Sequence, residues 1–506
     1  MLLGLIIAFH VACALLGKPI YRASYLGTAL EYGRGSINLL RPTIVGWNAT
    51  GTPTAQELPI WAAAAGALFK ITGSEWYGWA NVVSLFFFLA GIWPFFQLGR
   101  EYVGERGAWW AIAFLIAQPV VIMLAGEASP TGSCLTAMLW FLFFVDRMIR
   151  EGNGWWWWPA ALAGSVLAIS KLPFLMTAGL CGVFILLIHR TRSWKPWLLL
   201  AAAGAVAALI FFAWTRYADS LAAQAEYPYV ELRLSQSPFM KFWYFGDLHY
   251  RLSPGHWIKG LWRFLHATLG TLSMTALLVV ALVRRGNLLA KLWLVAMFLT
   301  TIVFTHLVLE HWHYYLMCSP AVAMLCGAML VEWEELWSQQ HLLRRCLTFA
   351  LAGLALAGSA IDGLIAMKIA LNYDYFPETM SRIVNLQTRA NDKLVLYTCD
   401  PVWGGEILFR AGRKGLSVMA LNGSPDGPSK KGLVDLITNQ SDLLRLKSLG
   451  YNKLVLVSES PVFYAVQAAN PGSKRKRVYY PKKITPTVDA WPVVYESEDL
   501  LIKDIP

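Results

Sequence analysis

Charge is what this sequence has least of. Only 15% of its 506 residues are Asp, Glu, Lys or Arg, while 57% are hydrophobic. A soluble domain carries about a quarter charged residues, so this chain lacks the polar surface to cover itself in water. Its seven cysteines are spread thinly. Cys13, Cys134, Cys181, Cys318, Cys326 and Cys346 fall in or beside apolar runs and only Cys399 falls in the polar tail. With no CxxC spacing and no pairing framework, a disulfide scaffold and a structural zinc site are not expected. The apolar run Leu2 to Leu16 has no basic flank before it and no small-residue cleavage site ahead of Lys18. It reads as a retained first helix, not a removed leader. No Gly-rich phosphate fingerprint accompanies the tail, so no cofactor is expected there. The formal charge of +12 is not clustered as a nucleic-acid footprint and lies largely in short loops between apolar runs.

What is present is a succession of long apolar stretches. Runs long enough, or nearly so, to span a bilayer fall at about 2–17, 76–98, 107–125, 131–149, 155–170, 172–189, 195–215, 262–283, 289–308, 312–332 and 346–370. About eleven spans are therefore expected. The 24 Trp residues gather at the ends of these runs, as in Trp155 to Trp158, where amphipathic rings anchor at headgroup level. Alternate loops carry Arg100 and Arg106, Arg147 and Arg150, Arg190, Arg192 and Lys195, Arg284, Arg285 and Lys291, and Arg344 and Arg345. The opposite turns hold almost none, Lys171 being the exception. The positive-inside rule then places the N-terminus in the cytoplasm and, with an odd number of spans, the tail outside.

Three segments face outward on this reading. Loop 18–75 contains the apolar stretch Leu58 to Ile71, too short for a span and read as an interfacial or re-entrant helix. Loop 216–261, rich in Tyr, Trp and Arg, reads as interfacial too. The tail, 371–506, places Leu394 to Tyr397 and Leu454 to Val457 as buried parallel strands, helical patterns at 403–411 and 433–449, and a last strand pair at 492–504. That alternation predicts a small α/β domain following a transmembrane domain over 1–370.

Short motifs run in order along the chain: Ile37-Asn38-Leu39-Leu40-Arg41-Pro42, then Trp47, then Glu57-Leu58-Pro59; Gln118-Pro119 and Ser129-Pro130; Ser170-Lys171-Leu172-Pro173; His313-Tyr314-Tyr315; and Arg413-Lys414-Gly415. In this order they resemble the GT-C class of membrane glycosyltransferases, in particular bacterial relatives of the protein O-mannosyltransferase and aminoarabinose-transferase families. The resemblance implies a polytopic helical membrane protein with a large first outer loop and an outer soluble tail, seated in the bacterial cytoplasmic membrane. It also implies transfer of a sugar from a polyprenyl-phosphate carrier to an acceptor outside the cytoplasm, with membrane lipid and the carrier as partners. A carboxylate would take the acceptor proton, and cations would hold the departing phosphate.

The sequence departs from the family where that chemistry is expected. About a dozen residues before Ile37, where the family has an acid, stand Ser24 and Tyr25; after Pro130 stands Thr131; and the late motif has become His311-Trp312-His313-Tyr314-Tyr315. Two readings stay open: an active transferase, or a degenerate scaffold or lipid-binding subunit that works with membrane-protein partners.

Each candidate has a plain alternative. Glu57 reads as acceptor anchor or base, against a solvated loop carboxylate. Glu127 reads as a substitute acid, against an exposed turn residue. Lys171 reads as the phosphate cation, against a helix-end lysine snorkelling to water. Arg22, Arg34 and Arg41 read as phosphate contacts, against headgroup anchors. Tyr314 and His313 read as lining the same site. His311, His313 and Glu310 are spaced to suggest a metal, against an aromatic-belt pair; a divalent ion stays an open alternative and no other cofactor is expected. Asp362 in the last span reads as a packing feature, and Lys474 to Arg477 as a solvated basic run. If the resemblance holds, Glu57, Lys171 and Tyr314 border one site.

Overall fold

The computed structural model describes residues 8, 10–11, 23–43, 57–224, 235, 238–284, 287–338, 342–373, 375–398, 407–419, 440–457, 490–496 and 500–505. Arg22, Trp47, Cys13, Cys399, the run Lys474 to Arg477 and most of the first apolar run lie outside these residues, as does the side chain of Ser24. The chain divides into two compact units. The first comprises Met1–Gly17, Gly78–Arg216 and Trp243–Lys368, and the second comprises Lys18–Tyr77, Tyr217–Phe242 and Ile369–Pro506.

The first unit is helical. The apolar runs from 76–98 onward appear as helices, but several are broken. Gly78–Ala117 holds two runs joined at a kink where Gly104 adopts φ 74°, a left-handed conformation that suits glycine. The run 155–170 and its neighbour become Trp157–Ser170 and Leu172–Ile188, separated by Lys171 alone. The run 262–283 belongs to a pair of helices, Pro254–Leu269 and Leu272–Val283, bent by 100° at Gly270. Run 289–308 breaks at Phe304, and 312–332 opens with a 3-10 turn, Trp312–Met317, before the helix Ser319–Ser338. Among the described residues four helices are long and apolar enough to cross a membrane, or five with the bent pair counted as one span, and three more are apolar but shorter. The eleven apolar runs are a different count, since several are broken and most of the first run lies outside the described residues.

Small residues let these helices approach. A side chain at Gly327 would come within 2.5 Å of the Gly107 carbonyl, so Ser319–Ser338 can lie against Gly78–Ala117 only with glycine there. Thr136 donates to the Phe87 carbonyl and the Trp140 indole to that of Ala90, 3.1 Å away, tying Thr131–Arg150 to the same helix. Close packing and interhelical hydrogen bonds are what hold helices together where lipid is as apolar as leucine. At the arginine-bearing end of these helices the buried Asp146 accepts from Tyr102 at 2.6 Å and pairs with Arg150 at 2.8 Å.

In the second unit Ala23–Arg34 packs on Ile60–Thr72, with Gly66 against the Ala29 carbonyl, and Arg34 clamps Glu75 through two hydrogen bonds of 2.6 Å. The Leu58 to Ile71 stretch is thus a helix, as expected. The tail holds a five-stranded sheet in the order β2-β1-β3-β5-β4: β1 Lys393–Thr398, β2 Lys414–Met419, β3 Lys453–Val457, β4 Val493–Glu496 and β5 Leu500–Asp504. β1 runs parallel to β2 and β3, whereas β5 is antiparallel to both β3 and β4. The central strands are buried on both sides, which is why they read as continuous apolar runs. β2 went unread because its sequence, KGLSVM, has no such run. Arg413 donates to the Asn385 and Thr388 carbonyls and to the Thr388 hydroxyl, capping the C-terminal end of the helix Tyr375–Gln387. That is where a cation suits the helix dipole, so its role here is structural.

Candidate functional site

Lys171 sits at the break between two helices. The chain leaves Trp157–Ser170, passes through Lys171 in an extended conformation (φ −146°), and re-enters a helix whose first turn holds Pro173. Proline is tolerated there because its missing N–H would be unsatisfied anyway. The lysine is 6% exposed. It does not snorkel to water, contrary to its plain reading. Its ammonium lies 5.7 Å from the centre of the Tyr314 ring. A desolvated cation on an aromatic face is stabilised by about 2 kcal/mol, which helps offset the cost of removing the charge from water.

Tyr314 belongs to the 3-10 turn Trp312–Met317, which packs against Pro119–Leu124, Thr131–Arg150 and Leu172–Ile188. One turn therefore touches the segments flanking both the Glu127 turn and Lys171. Tyr314 is buried, with the His313 ring 4.5 Å away and Phe174 at 6.3 Å. His311 lies 5.6 Å from His313 and 6.4 Å from Tyr314, with the Trp243 indole at 4.7 Å on it. Its Nε2 is buried and has no hydrogen-bond partner among the described residues. Burial lowers the imidazole to about 3, with the charges of His306 and Lys171 acting in the same direction. His311 is therefore neutral at physiological pH.

Next to it, between two apolar runs, Glu310 forms a polar knot. It accepts from the Tyr250 hydroxyl at 2.7 Å, pairs with Lys259 at 2.9 Å and pairs with Arg263 at 3.0 Å. Burial alone would raise this carboxyl, but the Tyr250 and Lys259 hydrogen bonds and the Arg263 charge outweigh it and hold the group at about 2. Burial and the same carboxylate push the Tyr250 phenol up. Glu310 is thus a fixed anion in a cationic setting, better suited to bracing the helix Pro254–Phe264 than to taking a proton. Among the described residues no group of three His, Cys, Asp or Glu is placed to hold a metal ion.

Glu127 corrects the plain reading made of it. It is 6% exposed, not a solvated turn residue. It lies in the tight turn between Pro119–Leu124 and Thr131–Arg150, where the Ser129 Oγ is 3.5 Å from its Oε2 and 3.2 Å from the Thr131 hydroxyl. Glu127 and Thr131, the residue that follows Pro130, thus share the Ser129 hydroxyl as a neighbour.

In the second unit Glu57 is part-buried and accepts from the Tyr25 hydroxyl at 3.0 Å. Two of the positions singled out in the first loop thus meet: the tyrosine that stands in place of the expected acid, and the one nearby carboxylate of the matching motif. Arg41 is exposed, and Arg22 lies outside the described residues. The structure therefore joins Lys171, Tyr314 and His313, joins Glu57 to Tyr25, and places these two groups in different units.

Sequence reasoning passed over Tyr250, Lys259, Arg263 and Trp243. The signal was present in the amphipathic aromatic and basic pattern of loop 216–261, but nothing local says that its basic residues meet Glu310. Asp362, in the last span, faces the bend at Gly270, where a side chain would come 3.2 Å from its Cβ, in keeping with a packing role.

No protein-family profile and no curated protein matches the sequence. Solved structures do match. ArnT from Cupriavidus metallidurans bound to undecaprenyl phosphate superposes with a TM-score of 0.63 at 13% identity, over 100% of this chain and 97% of that one. Its apo state gives 0.58 at 14% identity, over 99% and 97%. The arabinofuranosyltransferase AftD from Mycobacteria gives 0.50 at 14% identity, over 99% of this chain but 40% of AftD. The chain has the GT-C glycosyltransferase fold over its full length.

Proposed function

We propose that this protein is a membrane glycosyltransferase that moves a sugar from a polyprenyl-phosphate carrier to an acceptor on the extracytoplasmic side of the bacterial inner membrane. The observation that carries the reading is the buried Lys171 ammonium on the Tyr314 ring, at a helix break, in a chain whose whole length shares a fold with an undecaprenyl phosphate-binding protein. A buried ammonium set against an aromatic face is suited to holding an anion.

In this reading Lys171 holds the carrier phosphate. The acceptor hydroxyl attacks the anomeric carbon, the bond from that carbon to the phosphate oxygen breaks, and a carboxylate receives the hydroxyl proton. Charge grows on the departing phosphate as the bond breaks, and Lys171 offsets it. Glu127, which is buried, and Glu57, which is part-buried, are the two candidate bases. The N-terminus lies in the cytoplasm, and loops 18–75 and 216–261 and the 371–506 domain lie outside. The direct test is binding and turnover of undecaprenyl-phosphoryl sugars by the purified protein, with Lys171→Ala as control.

A second reading is favoured by the absence of carboxylates at two expected positions. There the fold serves as a lipid-binding scaffold, working with membrane-protein partners, without catalysis. It retains carrier binding through Lys171 and predicts no turnover and co-purification with fixed partners.

A further inference from the structure

One buried polar atom beside the Lys171–Tyr314 pair makes no hydrogen bond among the described residues. It is His311 Nε2, although the ring is enclosed by Trp243 at 4.7 Å, His313 at 5.6 Å and Tyr314 at 6.4 Å. Leaving such an atom unmet forfeits its hydration with nothing in return, and a folded protein tolerates that chiefly where something else supplies the partner. Packing alone does not explain the choice of residue, since a phenylalanine would fill the same aromatic layer without the penalty. Tyr314 links this nitrogen to the buried ammonium: the ring that carries Lys171 on its face also neighbours the His311 ring.

We propose that His311 Nε2 binds a hydroxyl of the ligand whose anionic group is held by Lys171, so that the site selects a glycosyl phosphate headgroup over a bare phosphate. The inference rests on the functional reading above and deepens it by assigning a specificity-determining residue. A hydroxyl is the fitting partner because it donates and accepts, and so satisfies either tautomer of a neutral imidazole. Neutrality matters. A protonated His311 would act as a second cation and favour the more highly charged bare phosphate, but burial and the nearby Lys171 charge keep it uncharged. One fixed cation beside one neutral hydrogen-bonding ring matches a headgroup with one charged and one hydroxylated half. His313 and Tyr314 form the aromatic floor between the two positions, a surface against which the apolar face of a sugar packs.

The test uses the full chain in nanodiscs and two kinds of ligand: undecaprenyl phosphate, and a panel of undecaprenyl-phosphoryl glucose, mannose and aminoarabinose. The unsubstituted protein is expected to bind at least one sugar-bearing lipid more tightly than the bare phosphate. His311→Phe, which keeps the ring and removes the nitrogens, should weaken that lipid by about tenfold, as expected for one lost hydrogen bond, and leave undecaprenyl phosphate within about twofold. His311→Gln, whose amide reaches near the same point, should restore most of the preference. Equal weakening of both ligands would mean a structural role and overturn the inference while leaving the transferase reading intact. So would an unsubstituted protein that prefers the bare phosphate, a measurement that needs no variant to fold. Failure of the unsubstituted protein to bind either kind of lipid would overturn the transferase reading and this inference together.

Discussion

The Lys171 ammonium and the Tyr314 ring face each other at 5.7 Å, one from a helix break and the other from a 3-10 turn. Together they make a buried cation with an aromatic wall, and the account of function turns on that pairing.

Lys171→Ala removes the charge and leaves a buried void beside Tyr314. Affinity for undecaprenyl phosphate should fall by roughly 1.5–3 kcal/mol, the value of a charged hydrogen bond. Lys171→Met, which keeps most of the volume, should bind as weakly as the alanine variant and unfold at a higher temperature. Scintillation proximity binding and thermal unfolding in detergent separate the two effects.

The two candidate bases give opposite outcomes under substitution. If Glu127 takes the acceptor proton, Glu127→Gln should lower kcat by about 10²–10⁴ with carrier affinity unchanged, while Glu57→Gln has a small effect. The reverse pattern would move the base to the Tyr25–Glu57 pair. Loss in neither variant, with turnover intact, would exclude both.

Glu310 sets the acid limit of the fold. Its carboxyl is held at about 2 against an ordinary value of 4.5. A depressed carboxylate contributes its full stabilisation above its unfolded value and loses it as pH falls toward its folded one. Unfolding temperature measured between pH 4.5 and 2 should therefore fall in the wild type and flatten in Glu310→Gln. That variant should also be less stable at neutral pH, because Lys259 and Arg263 lose their carboxylate.

His311 acts in a different window. It is neutral in the folded protein down to about pH 3, whereas the unfolded chain protonates it below about 6.5. The unfolded state binds the extra proton, so stability falls as pH drops from 6.5, and the part of that fall above pH 4.5 is separate from the Glu310 window. His311→Phe should flatten the pH dependence of unfolding temperature between 6.5 and 4.5.

Much of this architecture is legible in the sequence. Apolar runs, Trp-rich run ends and basic loops point to a multispanning chain, and the ordered motifs point to the fold. Lys171 stands out because it is a lone cation between two apolar runs. β1, β3 and the final strand pair are readable because each buried strand is a short apolar run. What the sequence withholds is non-local. Glu127 looks like a turn residue until its burial is seen. The cationic knot on Glu310 joins a loop to a distant turn, and His311 Nε2, without a hydrogen-bond partner among the described residues, sits against Trp243 from a distant helix. Helix breaks at Gly270 and Phe304 are hidden because hydropathy averages over them.

The central claim is tested most directly by incubating the purified full-length protein with undecaprenyl-phosphoryl sugars in a lipid bilayer and measuring carrier binding beside release of undecaprenyl phosphate. The account predicts saturable binding that Lys171→Ala weakens at least tenfold, as the loss of a charged hydrogen bond implies, and release of undecaprenyl phosphate when an acceptor is supplied. Binding without release would favour the scaffold reading. No binding of any carrier, or binding indifferent to Lys171, would contradict the account.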